Sequence, residues 1–280
     1  MMSKAEPGSD QPVTKGRIIF VTYAAGPFAA NLVRNGWWVR RFMRADKVIL
    51  LTRSDLEADP VYAPNRAVFD AARGAGYWAW KPWAIRRALS ECKIGDVVVY
   101  QDCGFGLRYK NLLPIRALAH AARREGFIAG VANPAHGNNR RWSHRHCVTQ
   151  TGAMTAKYLD HPIVEAVVSL WTNAPDSVAF VDEWLFHCLD PAIVGEPAEP
   201  EAEDSVFVEH RYDQSVLTNL AIKHSAPLLR PNAAVLPFAK SLMLLELAER
   251  AQQHRGWARV YAGLLAVLRL RDWLLERKAA

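Results

Sequence analysis

GYWAWKPWAIRRALSECKIGDVVVYQDCG, from Gly76 to Gly104, decides how this chain is read. Trp78, Trp80 and Trp83 fall within six residues around the Lys81-Pro82 pair. The β-branched run DVVVYQ (Asp96–Gln101) then stops on the carboxylate of Asp102. Such a run between turn residues predicts a buried strand. KPWAIRRALSECK predicts a helix with Pro82 in its first turn. In open α/β sheets ligands bind beyond the carboxyl ends of the strands, so Asp102 stands where a carboxylate meets ligand instead of core. Gly104 and Gly106 let the backbone turn closely after it. The plain alternative is that Asp102 caps a turn or the next helix.

Outward from this stretch, strand and helix patterns alternate. RIIFVTYA (Arg17–Ala24) and KVILLT (Lys47–Thr52) predict two more buried strands, and FIAGVA and VVSLWTN (Val167–Asn173) two beyond Asp102. Helical spacing fills Pro27–Arg44, NLLPIRALAHAARREG and PDSVAFVDEWLFHCL, the second closing at Gly126. This alternation predicts an α/β fold, a mixed and mainly parallel sheet flanked by helices. Residues 1–15 read as a flexible tail and 16–238 as one domain. The acidic, proline-rich PAIVGEPAEPEAEDS (191–205) reads as a surface insertion.

Bulk properties set limits. The chain has 280 residues, 50% of them hydrophobic, enough for a full core. Its formal charge of +7 points to an anionic partner: nucleotide, nucleic acid or lipid headgroup. Cys92, Cys103, Cys147 and Cys188 lack CxxC spacing, which argues against a zinc ribbon or disulfide framework and suits a reducing, cytoplasmic setting. MMSKAEPGSDQPVTKG has no apolar centre of the kind a signal peptide needs, and no apolar run approaches a membrane span. There is no GxGxxG after the first strand and no GxxxxGK[ST], which speaks against the common nucleotide-binding loops.

GYWAWKPWAI…GDVVVYQDCG, followed far downstream by EHRYDQSVLTNLAIKH, resembles bacterial glycosyltransferases of capsule and lipopolysaccharide clusters. RWSHRHC (Arg141–Cys147) falls where that family has Trp-x-Lys-Arg-Asp, with His144 and His146 in place of the lysine and the aspartate. The resemblance spans about Ile18 to Leu229 and implies a GT-A-like fold. GT-A enzymes carry Asp-x-Asp after a central strand and Asp-Gln-Asp-x-x-x-Asn downstream. This chain has Asp102-Cys103-Gly104 and Asp213-Gln214-Ser215, with Asn219 at the motif's asparagine. The second acid of each motif is missing, which leaves the metal open.

The resemblance implies transfer of a sugar from a nucleotide-diphosphate donor to a polysaccharide or lipid-linked saccharide acceptor. Asp102, Asp213 and Gln214 would then be catalytic. A divalent cation, Mn²⁺ or Mg²⁺, would bind Asp102 with a downstream acid or histidine such as His210; alternatively Lys81, Arg211 or Arg145 would neutralise the diphosphate. Tyr77, Trp78 and Trp80 suit stacking on a base or sugar ring, with at least one expected in the core. Thr22, Tyr23 and Gly104 complete the expected donor contacts. Asp213 also suits capping the helix that starts near it. His136, His144, His146 and Cys147 lack the paired spacing of a structural zinc site.

From Lys240 onward eight Lys and Arg stand against four Asp and Glu, over half of the surplus charge, on a helical pattern with Trp257 and Trp273. A basic amphipathic extension over 239–280 suits an anionic membrane surface, placing the protein peripherally at the inner face of the cell membrane. The same face also suits packing on the domain or on a second protomer, as a homodimer. A basic nucleic-acid- or membrane-binding α/β protein without transferase activity is the competing function. Nucleic acid is the less expected partner, because so much of the positive surplus lies in the terminal segment.

Overall fold

The computed structural model describes residues 16–43, 45–103 and 115–229. The expected tail, Gly104, the boundary at 238 and the basic extension all lie outside the described residues.

The β-branched runs form strands where the pattern places them: β1 (Ile18–Tyr23), β2 (Lys47–Leu51) and β3 (Val97–Gln101). FIAGVA splits at Ala129 into β4 (Phe127–Ile128) and β5 (Gly130–Ala132). Then come β6 (Val164–Glu165), β7 (Val168–Thr172) and β8 (Leu228–Leu229). The main sheet runs β2-β1-β3-β7-β4, and a small sheet runs β6-β5-β8. β1 pairs parallel with β2 and β3, and β5 with β8, whereas β3–β7, β4–β7 and β5–β6 are antiparallel. The sheets are therefore mixed: the six pairings divide evenly between parallel and antiparallel, while four of the five main-sheet strands run the same way. β7 returns between β3 and β4 against their direction and supplies two of the three antiparallel pairings.

Side-chain alternation sorts the two faces. Ile19, Val21, Tyr23, Val98, Tyr100 and Trp171 face one core, filled by the helices Trp80–Leu89, Pro175–Cys188 and Asp213–Lys223. Ile18, Phe20, Val97, Val99 and Leu170 face the other, against Val39, Met43 and the helix Ile115–Glu125. Proline stands in the first turn of Trp80–Leu89, at its third residue, and of Pro175–Cys188, at its first. The 191–205 segment is not all surface. Its short helix Pro191–Val194 buries Ile193 and Val194 in the first core, and its acidic remainder is largely exposed. Among the described residues no helix is long and apolar enough to cross a membrane.

Candidate functional site

β1 and β3 are parallel neighbours, so Tyr23 and Asp102 emerge at the same edge of the sheet. Trp80–Leu89 packs across that edge and carries Lys81 beneath it. The Lys81 ammonium lies 3.3 Å from Asp102 Oδ1 and 3.5 Å from Asp213 Oδ2. It donates to Asp102 Oδ2 at 3.4 Å, and the Tyr100 hydroxyl donates to Oδ1 at 2.6 Å. Three segments far apart in sequence thus meet in one buried cluster.

An ammonium between two acids leaves one negative charge too many for a dry site. Burial pushes the Asp213 carboxyl up to about 7, against the pull of Lys81 and with the help of the Asp102 charge. Burial also works against the Lys81 charge, but the two carboxylates outweigh it and raise its pKa. The Tyr100 phenol is held well above its ordinary range, first by burial and then by Asp102. Asp213 Oδ2 accepts no hydrogen bond among the described residues, the Lys81 contact being an ion pair outside hydrogen-bond geometry. Trp184 Nε1 donates to the Asp213 carbonyl at 3.0 Å and pins the start of that helix.

Above the cluster opens a cleft of about 510 Å³. Its walls include Tyr23, Pro27, Phe28, Trp78 and Trp80, and Asp102 and Arg73 are the charged lining residues among those described. Tyr23 and Trp80 stack at 4.5 Å, and Trp80 Nε1 donates to the Gly74 carbonyl. Burial raises the Tyr23 phenol to about 12, and its hydroxyl has no hydrogen-bond partner among the described residues.

The wall is made by a strained backbone. Ala75, Tyr77, Trp78 and Tyr212 all have φ between 50° and 58°. Left-handed conformations in such residues cost ~1–3 kcal/mol each and persist where the surroundings over-determine them. Here the surroundings are rings: Tyr212 stacks on Tyr77 at 5.5 Å and meets Trp78 at 5.3 Å. Gly76, at φ 103°, cannot be replaced, since a Cβ would stand 2.9 Å from the Phe69 backbone. Arg73 Nε donates to the Tyr212 hydroxyl at 2.9 Å, which in turn donates to Glu196.

Several expected residues stand elsewhere. Thr22 points away from the cleft, its hydroxyl donated to the Gln101 carbonyl at 2.6 Å. Lys81 is buried behind Asp102 and lines neither the cleft nor the second cavity described below; it faces two carboxylates. Tyr77 braces Tyr212 from outside the cleft lining. Asp213 is not the capping residue: the helix cap is Tyr212, without a side-chain bond, and Asp213 is the first helical residue. Arg145 is exposed and away from both cavities, its backbone N–H donating to Glu203. Arg211 and Gln214 line a second, smaller cavity instead of the cleft. Asn219 is fully buried, bonded to Asn139 and Thr151.

His210 does not join Asp102. It is buried against His144, ring centroids 4.0 Å apart, and its Nδ1 accepts from the His144 backbone N–H. His144 Nδ1 caps the Arg145–Gln150 helix through the Cys147 N–H. Burial is the first cause that lowers the His144 pKa to about 4 and that of His210 well below its ordinary value. No group of three or more His, Cys, Asp or Glu side chains suited to a metal occurs among the described residues.

The sequence reading missed Arg73 and Tyr100. Arg73 in AARGAG has no local mark that separates it from a surface arginine, and Tyr100 reads as one more strand aromatic.

Compared with known proteins, the chain matches no family model, no curated protein and no solved structure.

Proposed function

We propose that this protein is a GT-A-like glycosyltransferase that binds a nucleotide-diphosphate sugar in the aromatic cleft. The observation that carries the proposal is the convergence of Lys81, Asp102 and Asp213, one from each of the three resembling segments, in one buried cluster that reaches the cleft through Asp102. The order β2-β1-β3-β7-β4 with its single reversed strand supports the same reading, as does a ligand cleft at strand carboxyl ends.

In this reading the base or ribose lies against Tyr23, Trp78 and Trp80, whose faces are held by stacking and by the Gly74 carbonyl. Arg73 presents a guanidinium at the wall, where charge on the departing diphosphate must be stabilised. Asp102 accepts donor hydroxyls, its rotamer held by Tyr100 and Lys81. The accepting saccharide is free or lipid-linked, and the basic terminal segment would meet an anionic membrane.

A divalent metal does not fit the described donor set. Hard cations take several oxygen ligands. Asp102 is the single carboxylate among the described residues of the cleft lining, and Asp213 is buried behind it against the same ammonium, so no second oxygen ligand stands beside Asp102. Cationic side chains carry the charge stabilisation here.

The test is hydrolysis and transfer with UDP-, GDP- and CMP-sugars, with Mn²⁺ or with EDTA, on the full chain and on Asp102→Asn. The expected result is turnover of one donor that survives EDTA and is lost in Asp102→Asn. Binding of an oligonucleotide in place of every donor would overturn the proposal.

A further inference from the structure

The second cavity, of about 180 Å³, is lined by Trp142, Arg211, Gln214, Glu165 and His136. It adjoins the buried cluster by two covalent and hydrogen-bonded steps. Gln214 follows Asp213 in the chain, and the carbonyl of Val167, another lining residue, accepts the Asp102 N–H at 3.0 Å. Ser215 fastens this corner by donating to the Trp142 carbonyl and accepting from the Arg211 N–H at 3.0 Å.

Its polar groups are engaged locally. Arg211 pairs with Glu209 at 3.0 Å, and His136 Nε2 lies 3.0 Å from Glu165 Oε1. Among the described lining residues Arg211 is the one guanidinium, and it already faces Glu209. What remains is neutral hydrogen-bonding capacity. The Gln214 amide, both donor and acceptor, has no side-chain hydrogen bond among the described residues. Glu165 Oε1 is taken by Asn133 at 2.8 Å and by His136, while Oε2 has no partner among the described residues. The Trp142 indole is fixed by its Nε1 bond to the His136 carbonyl at 2.7 Å, with the Arg211 guanidinium 4.4 Å from a ring centroid.

Hydroxyl groups donate and accept at once, so an amide beside a carboxylate and a guanidinium suits them, and an indole suits a ring's C–H face. The volume lies below the ~300 Å³ at which drug-sized pockets begin, room for one ring. We infer that this cavity binds one neutral hydroxylated ring, the accepting sugar of a saccharide. The inference rests on the transferase reading for the word accepting; as a sugar site it stands on the cavity alone.

The experiment titrates the full-length protein with neutral methyl hexosides at millimolar concentration, using ligand-observed NMR. Glucuronate and inorganic phosphate serve as charged controls, and UDP and GDP report on the cleft. A neutral hexoside should bind, and Gln214→Ala and Glu165→Gln should each weaken it about five- to tenfold, the size of one lost hydrogen bond. Nucleotide affinity should stay unchanged, which also shows that the variants fold. The site is overturned if no hexoside binds, if both variants bind it as tightly as the natural chain, or if phosphate or glucuronate is preferred. Nucleotide binding without hexoside binding would sink this site and leave the transferase reading standing; hexoside binding without any nucleotide would do the reverse.

Discussion

The Lys81 ammonium stands 3.3 Å from Asp102 Oδ1, and both side chains are almost wholly buried. A lysine from the first turn of a helix thereby neutralises the acid at the end of a central strand. The two residues have unequal roles, because Asp102 also lines the cleft and Lys81 does not.

Asp102→Asn removes the extra negative charge while Lys81 keeps Asp213. Donor turnover should fall at least about a hundredfold, as expected for a group that meets substrate in a dry site. The melting temperature should move by only a few degrees. Lys81→Met should do the opposite, leaving two buried acids uncompensated and costing about 3–5 kcal/mol of stability. Donor kinetics and thermal melts on the two variants check the contrast.

Asp213 titrates near neutrality. Its folded pKa of about 7 lies above the ordinary 3.8, so the native state binds the extra proton between those values. Its contribution to stability is complete below about pH 4 and is lost as the pH rises through 7. Turnover should therefore show an inflection near pH 7 that Asp213→Asn, a permanent mimic of the neutral acid, abolishes. A pH–rate profile of both proteins makes the comparison.

Arg73 should carry nucleotide affinity through the phosphates. Arg73→Ala should weaken UDP or GDP binding by about ten- to a hundredfold, the range for a charge-assisted hydrogen bond, and leave the free nucleoside nearly unaffected. Calorimetric titration of nucleoside against diphosphate separates the two. The side chain is half exposed, so stability should change little.

The His144–His210 pair should set an acid limit. Both pKa values are lowered, so the pair contributes stability above about pH 6.5 that is lost as the pH falls through 4. Replacing His144→Asn, which keeps a capping side chain, together with His210→Phe should flatten the fall in melting temperature between pH 6.5 and 4. An unchanged slope would place the acid sensitivity elsewhere.

Much of the fold was legible because its signals are local. β-Branched runs and proline or glycine punctuation located β1, β2, β3 and β7 and the helices at Pro175 and Asp213. β6 and β8 escaped, since two residues are too few to show a period. The sense of the sheet escaped as well, because β7 carries the same apolar run whichever way it pairs.

By itself the sequence determined which segments carry polar and aromatic residues at strand ends, and therefore pointed to Asp102, Asp213 and the tryptophan-rich turn. Only the tertiary structure decided which side chains meet. Thr22 and Tyr23 are adjacent on β1, yet one closes on the Gln101 carbonyl and the other lines the cleft, because successive strand residues face opposite ways. Asp213 and Gln214 are adjacent on a helix, where neighbours diverge by about 100°. One therefore enters the Lys81 cluster and the other the second cavity. Lys81 reads from sequence as a cation waiting for a ligand, but the fold brings two acids to it from β3 and a distant helix. Burial then makes that ion pairing obligatory, since an unpaired charge at this depth would cost more than the cluster stabilises.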